Sequence, residues 1–367
     1  MKATATAAFG AGLMLTAGSF DVPSLFVTGV ALIALAATTS AWVAVAAREA
    51  AIRREPGPAT VIEGQPYPLT FTVQRGALPL PGGRIAEPLI DRPLPLAGDR
   101  ATAEARFERR GRRRLDPATL ELSDPLGLSH HSVRGHGEAE ILVLPRTEPV
   151  LAAAAPGGSD SGHGRFGTGA GGAGLEAPAV DLEIDGLRPY RQGSPATRIH
   201  WPSVARRGEM LELRLVAGAD RMPLVALDSS RPHDGEALDL AVRAAASLCL
   251  HLARASGSCS LLLAGDERPL VVGSNLDGWP RAHARLALVE PSRTMPSVRR
   301  AARASSAFWV VARSPERLPR ALAPLAAKDC TLVVPAALAT GTPKFTVAGC
   351  EGTALASVRR RRRARAA

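Results

Sequence analysis

Ser24–Ala47, SLFVTGVALIALAATTSAWVAVAA, runs for twenty-four residues without a charged side chain. An apolar stretch of about 20 residues is what a helix needs to cross the ~30 Å hydrocarbon core of a bilayer. Upstream, Ala3–Phe20 is also uncharged, although three Thr and three Gly make it the weaker of the two. Asp21-Val22-Pro23 separates the stretches with a tight polar break. A hairpin of two transmembrane helices, 3–20 and 24–47, is the predicted anchor over residues 1–50, its turn in the headgroup region where water satisfies free backbone groups. Lys2 precedes the first stretch and Arg48, Arg53 and Arg54 follow the second, while the turn carries only an acid. The positive-inside rule then places both termini in the cytoplasm of a two-span plasma-membrane protein. A cleaved signal peptide fits poorly, because a second apolar stretch follows at once.

Beyond the anchor, 367 residues leave room for about two further domains at roughly 100–200 residues each. Residues 55–148 read as a small β-sandwich. Val61, Leu69, Phe71 and Val73 alternate after turn signals, and prolines recur at Pro79, Pro81, Pro88, Pro93 and Pro95, which exclude long helices. A strand pair is predicted at 112–122 and 139–144, with Asp124-Pro125-Leu126-Gly127-Leu128 as a turn between them. Residues 151–178 are predicted to be a flexible linker, since half of Gly157–Gly174 is glycine. No Lys or helix start accompanies those glycines, so they do not form a phosphate loop.

From Met222 on, short apolar runs alternate with helical spacing. Strands are predicted at 223–227, 260–263, 307–311 and 331–334, and helices at 238–255, 282–289 and 318–327. Such alternation signals βαβ units and a doubly wound parallel sheet. No GxGxxG follows the first strand, which leaves dinucleotide binding without a motif. HExxH, GxSxG and Walker patterns are also absent. Cys249, Cys259, Cys330 and Cys350 form no CxxC pair and read as buried thiols of a reducing compartment.

The net charge is +11, but Arg359, Arg360, Arg361, Arg362, Arg363 and Arg365 supply six of those charges within a predicted disordered tail, residues 356–367. The remaining +5 is no argument for specific nucleic-acid binding. A tail of this kind beside a bilayer is drawn to anionic headgroups, and any nucleic-acid binding by it is nonspecific.

Residues 179–355 open with Leu187-Arg188-Pro189-Tyr190-Arg191-Gln192-Gly193-Ser194, continued by Arg198-Ile199-His200-Trp201 and Ala205-Arg206-Arg207-Gly208. This pattern closely resembles the signature of the bacterial domain-of-unknown-function 58 family. The resemblance extends to Arg110-Gly111-Arg112, Asp124–Leu128 and Val143-Leu144-Pro145-Arg146, and to the N-terminal apolar pair. It departs at Ser194, where the family commonly has an acid. It implies a von Willebrand factor A-like α/β domain, and as partners a MoxR-type AAA+ ATPase and a transglutaminase-like membrane protein. That fold often holds a divalent metal through Asp-x-Ser-x-Ser. Here Leu227-Asp228-Ser229-Ser230-Arg231-Pro232 keeps Asp228 and Ser230 but replaces the last Ser with Pro232, so capping of the following helix is the favoured role for Asp228.

The remaining candidates divide between recognition and structure. Tyr190 and Trp201 read first as core packing onto the sheet, with a recognition surface as the alternative. Arg188, Arg191, Arg198, Arg206 and Arg207 either receive an acidic partner segment or pair with Glu183, Asp185 and Glu209. His200 reads as structural, and His130 and His131 as solvated. The expected function is a non-enzymatic, membrane-tethered scaffold or adaptor. A metal-dependent binding or hydrolytic enzyme built on the Asp228 loop is the alternative, and binding of anionic lipid or nucleic acid through the arginine tail is a third reading.

Overall fold

The computed structural model describes residues 2–153, 183–190, 201–216, 222–327, 330–358 and 360. It divides into two compact units, Met1–Glu108 with Arg112–Val143, and Arg109–Gly111 with Leu144–Ala367.

In the first unit, α1 (Lys2–Phe20) and α2 (Pro23–Glu49) pack side by side as a hairpin. Asp21 takes the left-handed conformation (φ 55°), and the Val22 N–H donates to the Ala17 carbonyl at 3.1 Å. This is the Schellman closure that satisfies a helix end, and Pro23 then starts α2 with its φ already set. The helices touch where side chains vanish. A Cβ on Gly10 would lie 2.7 Å from the Gly29 carbonyl oxygen, and one on Gly29 would lie 2.6 Å from that of Gly10. Both helices are long and apolar enough to cross a membrane, and only 11% and 22% of their most apolar windows are buried. Phe9, Leu15, Phe20 and Val27 face outward, unlike residues of a core helix in a soluble domain.

The predicted span to Ala47 needs correction at its end. Val43, Ala47 and, just past the helix, Ala50 are buried in the same core as Ile52, Leu69, Phe71 and Leu120. The last two turns of α2 therefore belong to the β-domain, and residues 23–41 remain, about 28 Å of helix at ~1.5 Å per residue. That matches the 19 residues of α1. Arg54, counted by sequence among the flanking charges, is in fact buried against Glu87 at 2.6 Å.

The β-domain begins with β1 (Ala51–Arg54), β2 (Thr60–Ile62), β3 (Pro66–Gln74), β4 (Gly83–Ala86) and β5 (Leu94–Pro95). It continues through β6 (Arg100–Arg106), β7 (Gly111–Leu115), β8 (Thr119–Ser123), β9 (His130–Arg134) and β10 (Ala139–Leu144). They form sheets ordered β1-β3-β6, β2-β10-β7 and β5-β4-β8-β9. Tyr67, Leu69, Phe71 and Val73 of β3 alternate into the core, as the period of a half-buried strand requires. The predicted strand 112–122 is two strands, interrupted at Asp116-Pro117-Ala118, since proline has no N–H for a ladder. The predicted turn forms around Asp124, whose carboxylate accepts from the N–H groups of Leu126 (3.0 Å) and Ser129 (2.5 Å), and joins β8 to β9.

The second unit holds β11 (Leu151–Ala152), β12 (Glu183–Pro189), α3 (Trp201–Arg207), β13 (Leu211–Val216), β14 (Leu224–Asp228) and α4 (Gly235–Ser256). Then come β15 (Ser258–Leu263), β16 (Leu270–Gly273), α5 (Trp279–Ala287), α6 (Val298–Ala301), β17 (Ala307–Val311), β18 (Cys330–Pro335), β19 (Phe345–Val347) and β20 (Cys350–Ala354). One sheet runs β11-β19-β20-β18-β17-β14-β15-β16. The four predicted strands are its parallel centre, while β16, β19 and β20 pair antiparallel, so the sheet is mixed rather than wholly parallel. Residues 151–152, assigned by sequence to the linker, are an edge strand on β19. Alternate residues of β14 feed two cores. Val225 and Leu227 meet α4 and α5, whereas Leu224 and Ala226 meet Ala301, Leu322 and Leu325. Asp234 caps α4 by accepting from Ala237 N–H at 2.7 Å, and Gly257 (φ 79°) ends it. The predicted helix 318–327 is a 3-10 segment, Arg320–Ala327, because Pro324 lies inside it.

Gly29→Val is expected to destabilise the full-length protein in detergent by about 1–3 kcal/mol through overpacking against Gly10 and Met14. Gly12→Val, whose Cβ would meet nothing within 4 Å, leaves thermal melting unchanged. Equal melting temperatures for the two variants would contradict the described crossing.

Candidate functional site

Asp228 ends β14, and its side chain is fully buried. The chain turns sharply after it, with Arg231 left-handed (φ 48°) and Ser230 bridging Ser292. One carboxylate oxygen accepts from the Ser230 N–H (3.0 Å) and hydroxyl (2.5 Å). The other accepts from Nη2 of Arg313, a buried residue just beyond β17. Nη1 of Arg313 donates to the Ser230 carbonyl (2.5 Å) and hydroxyl (2.8 Å). The arrangement is a closed acid–hydroxyl–guanidinium network between neighbouring strands.

This corrects the capping role predicted for Asp228, since Asp234 caps α4. It also bears on the candidate metal ligands. Asp228 and Ser230 both bind the Arg313 guanidinium, so a divalent ion there would have to compete with a fixed cation for the same oxygens. A hard cation needs about six oxygen ligands. Among the described residues no group of three or more His, Cys, Asp or Glu gathers. His130 and His131 sit exposed on β9.

Because β14 is flanked by β15 and β17, with α4 on one face and α6 on the other, its carboxyl end is the switch point of the sheet. Open α/β sheets bind ligands at such points. A cavity of about 290 Å³ opens there, lined by Leu227, Ser229, Leu263, Arg285, Glu290 and Ser292. Asp266 holds Arg285 at 2.5 Å. No motif in the sequence marks this cavity, whose lining comes from three separate segments.

Of the signature residues, Gly193, Arg198 and His200 lie outside the described residues, as do Arg191, Arg359, Arg361, Arg362, Arg363 and Arg365. Arg188 lies on β12, which pairs antiparallel with β13 in the register Arg188↔Glu212. The Tyr190 N–H donates to the Met210 carbonyl at 3.0 Å and closes this hairpin, with α3 inserted between its strands. Trp201, predicted to pack in a core, is 59% exposed, and Met210 is 54% exposed. Arg206 is exposed on the same short helix, and Arg360 of the tail is exposed as well. With seven residues, α3 is too short to bury an aromatic at its first position under a second layer. The four cysteines are free and buried. A hydrogen bond to Cys259, then burial, pushes the Cys249 thiol up, and burial with the nearby Glu148 pushes Cys350 up to about 12.

No family model matches the chain, and no curated protein matches it. Among solved structures, a conjugative transposon lipoprotein from Bacteroides eggerthii is similar over 25% of this chain and 96% of its own, at 12% identity and a TM-score of 0.17. A likeness that slight carries no argument about fold or function.

Asp228→Asn is expected to cost about 3–5 kcal/mol in chemical denaturation of the full-length protein, because it strands the buried Arg313 charge. Combining it with Arg313→Met is expected to recover more than half of that loss. If the single variant melts like the parent, the network does not hold β14 to β17.

Proposed function

We propose that this chain is a scaffold of the bacterial cytoplasmic membrane, with α1 and α2 crossing the bilayer, both termini in the cytoplasm, and the hairpin module 183–216 engaging a protein partner. The observation that carries the reading is the exposure of Trp201 at the start of α3 and of Met210 just after it, with Arg206 of α3 exposed as well. Large apolar side chains left in water together mark interaction surfaces, and tryptophan and arginine are the residue types that dominate binding energy there. Residues 187–208 include five arginines and no acid, so an acidic partner segment is the complementary one.

The resemblance to the domain-of-unknown-function 58 family supports the same reading. It makes a MoxR-type AAA+ ATPase the first partner to test and a transglutaminase-like membrane protein the second. A von Willebrand factor A-like identity for the second unit draws support from its strand order. Around β14 the strands run β16-β15-β14-β17-β18, the 3-2-1-4-5 part of the doubly wound order, with β16 antiparallel here and the antiparallel pair β20-β19 completing that edge as 7-6. In this reading Arg313 takes the place of a metal and the chain performs no chemistry of its own. The arginine tail adds attraction to anionic headgroups, about 1 kcal/mol per basic residue at the surface.

Native-membrane pull-downs test the proposal. The parent chain is expected to capture an ATPase that Trp201→Ala loses, while the variant's stability stays within about 0.5 kcal/mol, as for most surface substitutions. Capture of no ATPase by the parent, or undiminished capture by the variant, overturns it.

A further inference from the structure

The first unit fixes where a bilayer surface would meet the β-domain. The Ala3 N–H at the start of α1 donates to the Leu128 carbonyl at 3.0 Å. Ser40 of α2 meets the Ser129 hydroxyl at 2.7 Å, and the Trp42 indole N–H donates to the Pro79 carbonyl at 3.0 Å. Two loops, the Asp124–Ser129 turn and the segment around Pro79, are thus pinned level with the end of the lipid-length portions of both helices. The second of these runs back along α2, since the Ala77 N–H donates to Glu49 at 2.8 Å while Pro79 reaches Trp42 more than a turn earlier.

Each loop presents an apolar side chain outward at that level. Leu126 is 61% exposed at the tip of its turn and Leu78 is 40% exposed beside Pro79. A turn built by Asp124, Pro125 and Gly127 is usually tipped with polar residues, and nothing in the β-domain covers this leucine. Trp42, half-buried with its N–H satisfied, has the amphipathic character that places tryptophan at membrane interfaces. At the base of the turn, Arg84, Glu121, Ser123, His130, His131 and Ser132 help to line a cleft of about 300 Å³, with Arg84 paired to Glu121 at 3.2 Å. The apolar tip and the polar, hydroxyl-rich base follow the order of acyl chain and headgroup.

We infer that the β-domain rests directly on the inner leaflet, with Leu126 and Leu78 inserted among the lipids around the helix hairpin and the Arg84 cleft at headgroup depth. The inference rests on the membrane-spanning reading of α1 and α2, and its occupant is phospholipid. Apolar side chains of interfacial elements reach about 5–10 Å into the headgroup–acyl boundary.

Single cysteines carrying an environment-sensitive fluorophore test it. Leu126→Cys, Leu78→Cys, Leu35→Cys within α2 and Gln65→Cys, exposed before the end of β3 farther from α2, would each be placed in the full chain. The four native thiols are buried and those of Cys249 and Cys350 are held protonated, so the introduced site is the one labelled. The chains are reconstituted into phosphatidylcholine–phosphatidylglycerol vesicles, with or without lipid bearing a nitroxide near the headgroup end of its acyl chain. Positions 126 and 78 are expected to be quenched severalfold more than 65, with blue-shifted emission. Quenching at 35 with none at 126 or 78 overturns the inference and leaves the spans standing. Absence of quenching at 35, by shallow or deep nitroxides, overturns the spanning reading and this inference with it.

Discussion

The first unit depends on the unbroken course of α2. Its 27 residues carry no proline after the first position and no charge before Arg48, so nothing interrupts the helix between its exposed apolar stretch and the β-domain core. Val43 and Ala47 then pack among the strands, Ala50 turns extended, and β1 pairs with β3 from the next residue. No linker intervenes. A helix buried on one side by Phe71 and Leu120 cannot swivel without opening that core, so the hairpin and the β-domain share one orientation. The indole of Trp42 and the hydroxyl of Ser40 reinforce this with hydrogen bonds to the flanking loops.

The second unit is organised by a polar contact rather than an apolar one. β14 and β17 are adjacent parallel strands whose every residue is buried, and each ends in a charge or close to one. Alone, the carboxylate of Asp228 would be costly in that setting. Arg313 and Ser230 together satisfy both its oxygens, and the same guanidinium ties down the Ser230 carbonyl where the chain reverses. A network of this kind adds less to net stability than its geometry suggests, because both ions were desolvated to form it. Its effect lies in registry, since only one alignment of the two strands lets the fork of Arg313 reach both partners.

Sequence periodicity reached the parts of the fold where pattern and packing agree. The 3.6-residue repeat from Leu238 to Leu252 gives α4, and the continuous apolar runs give β14, β17 and β18, because strands buried on both faces leave no polar positions to confuse the pattern. Legibility failed where elements are short or depend on distant partners. β16, β19 and β20 have three to five residues each, too few for a period to emerge. The 24–47 stretch is apolar throughout, so its pattern could not show that lipid-length helix gives way to protein core near Trp42. Arg54 looked like a topological charge because its partner Glu87 lies 33 residues away. Arg313 is 85 residues from Asp228, and no local motif announces it.

These two gaps share a cause and point the same way. A sequence motif shows which oxygen groups a loop carries, but not which distant side chain binds them in the fold. Pro232 offers the Asp228 loop no hydroxyl, and Arg313 supplies a permanent positive charge at the Asp228 carboxylate. A metal can leave and return, and so can make a loop's affinity for a partner conditional. A buried guanidinium on a covalent tether cannot. A loop locked in this way fits the proposed scaffold better than a metal-gated switch, and in that proposal recognition falls to exposed groups such as Trp201 and Met210.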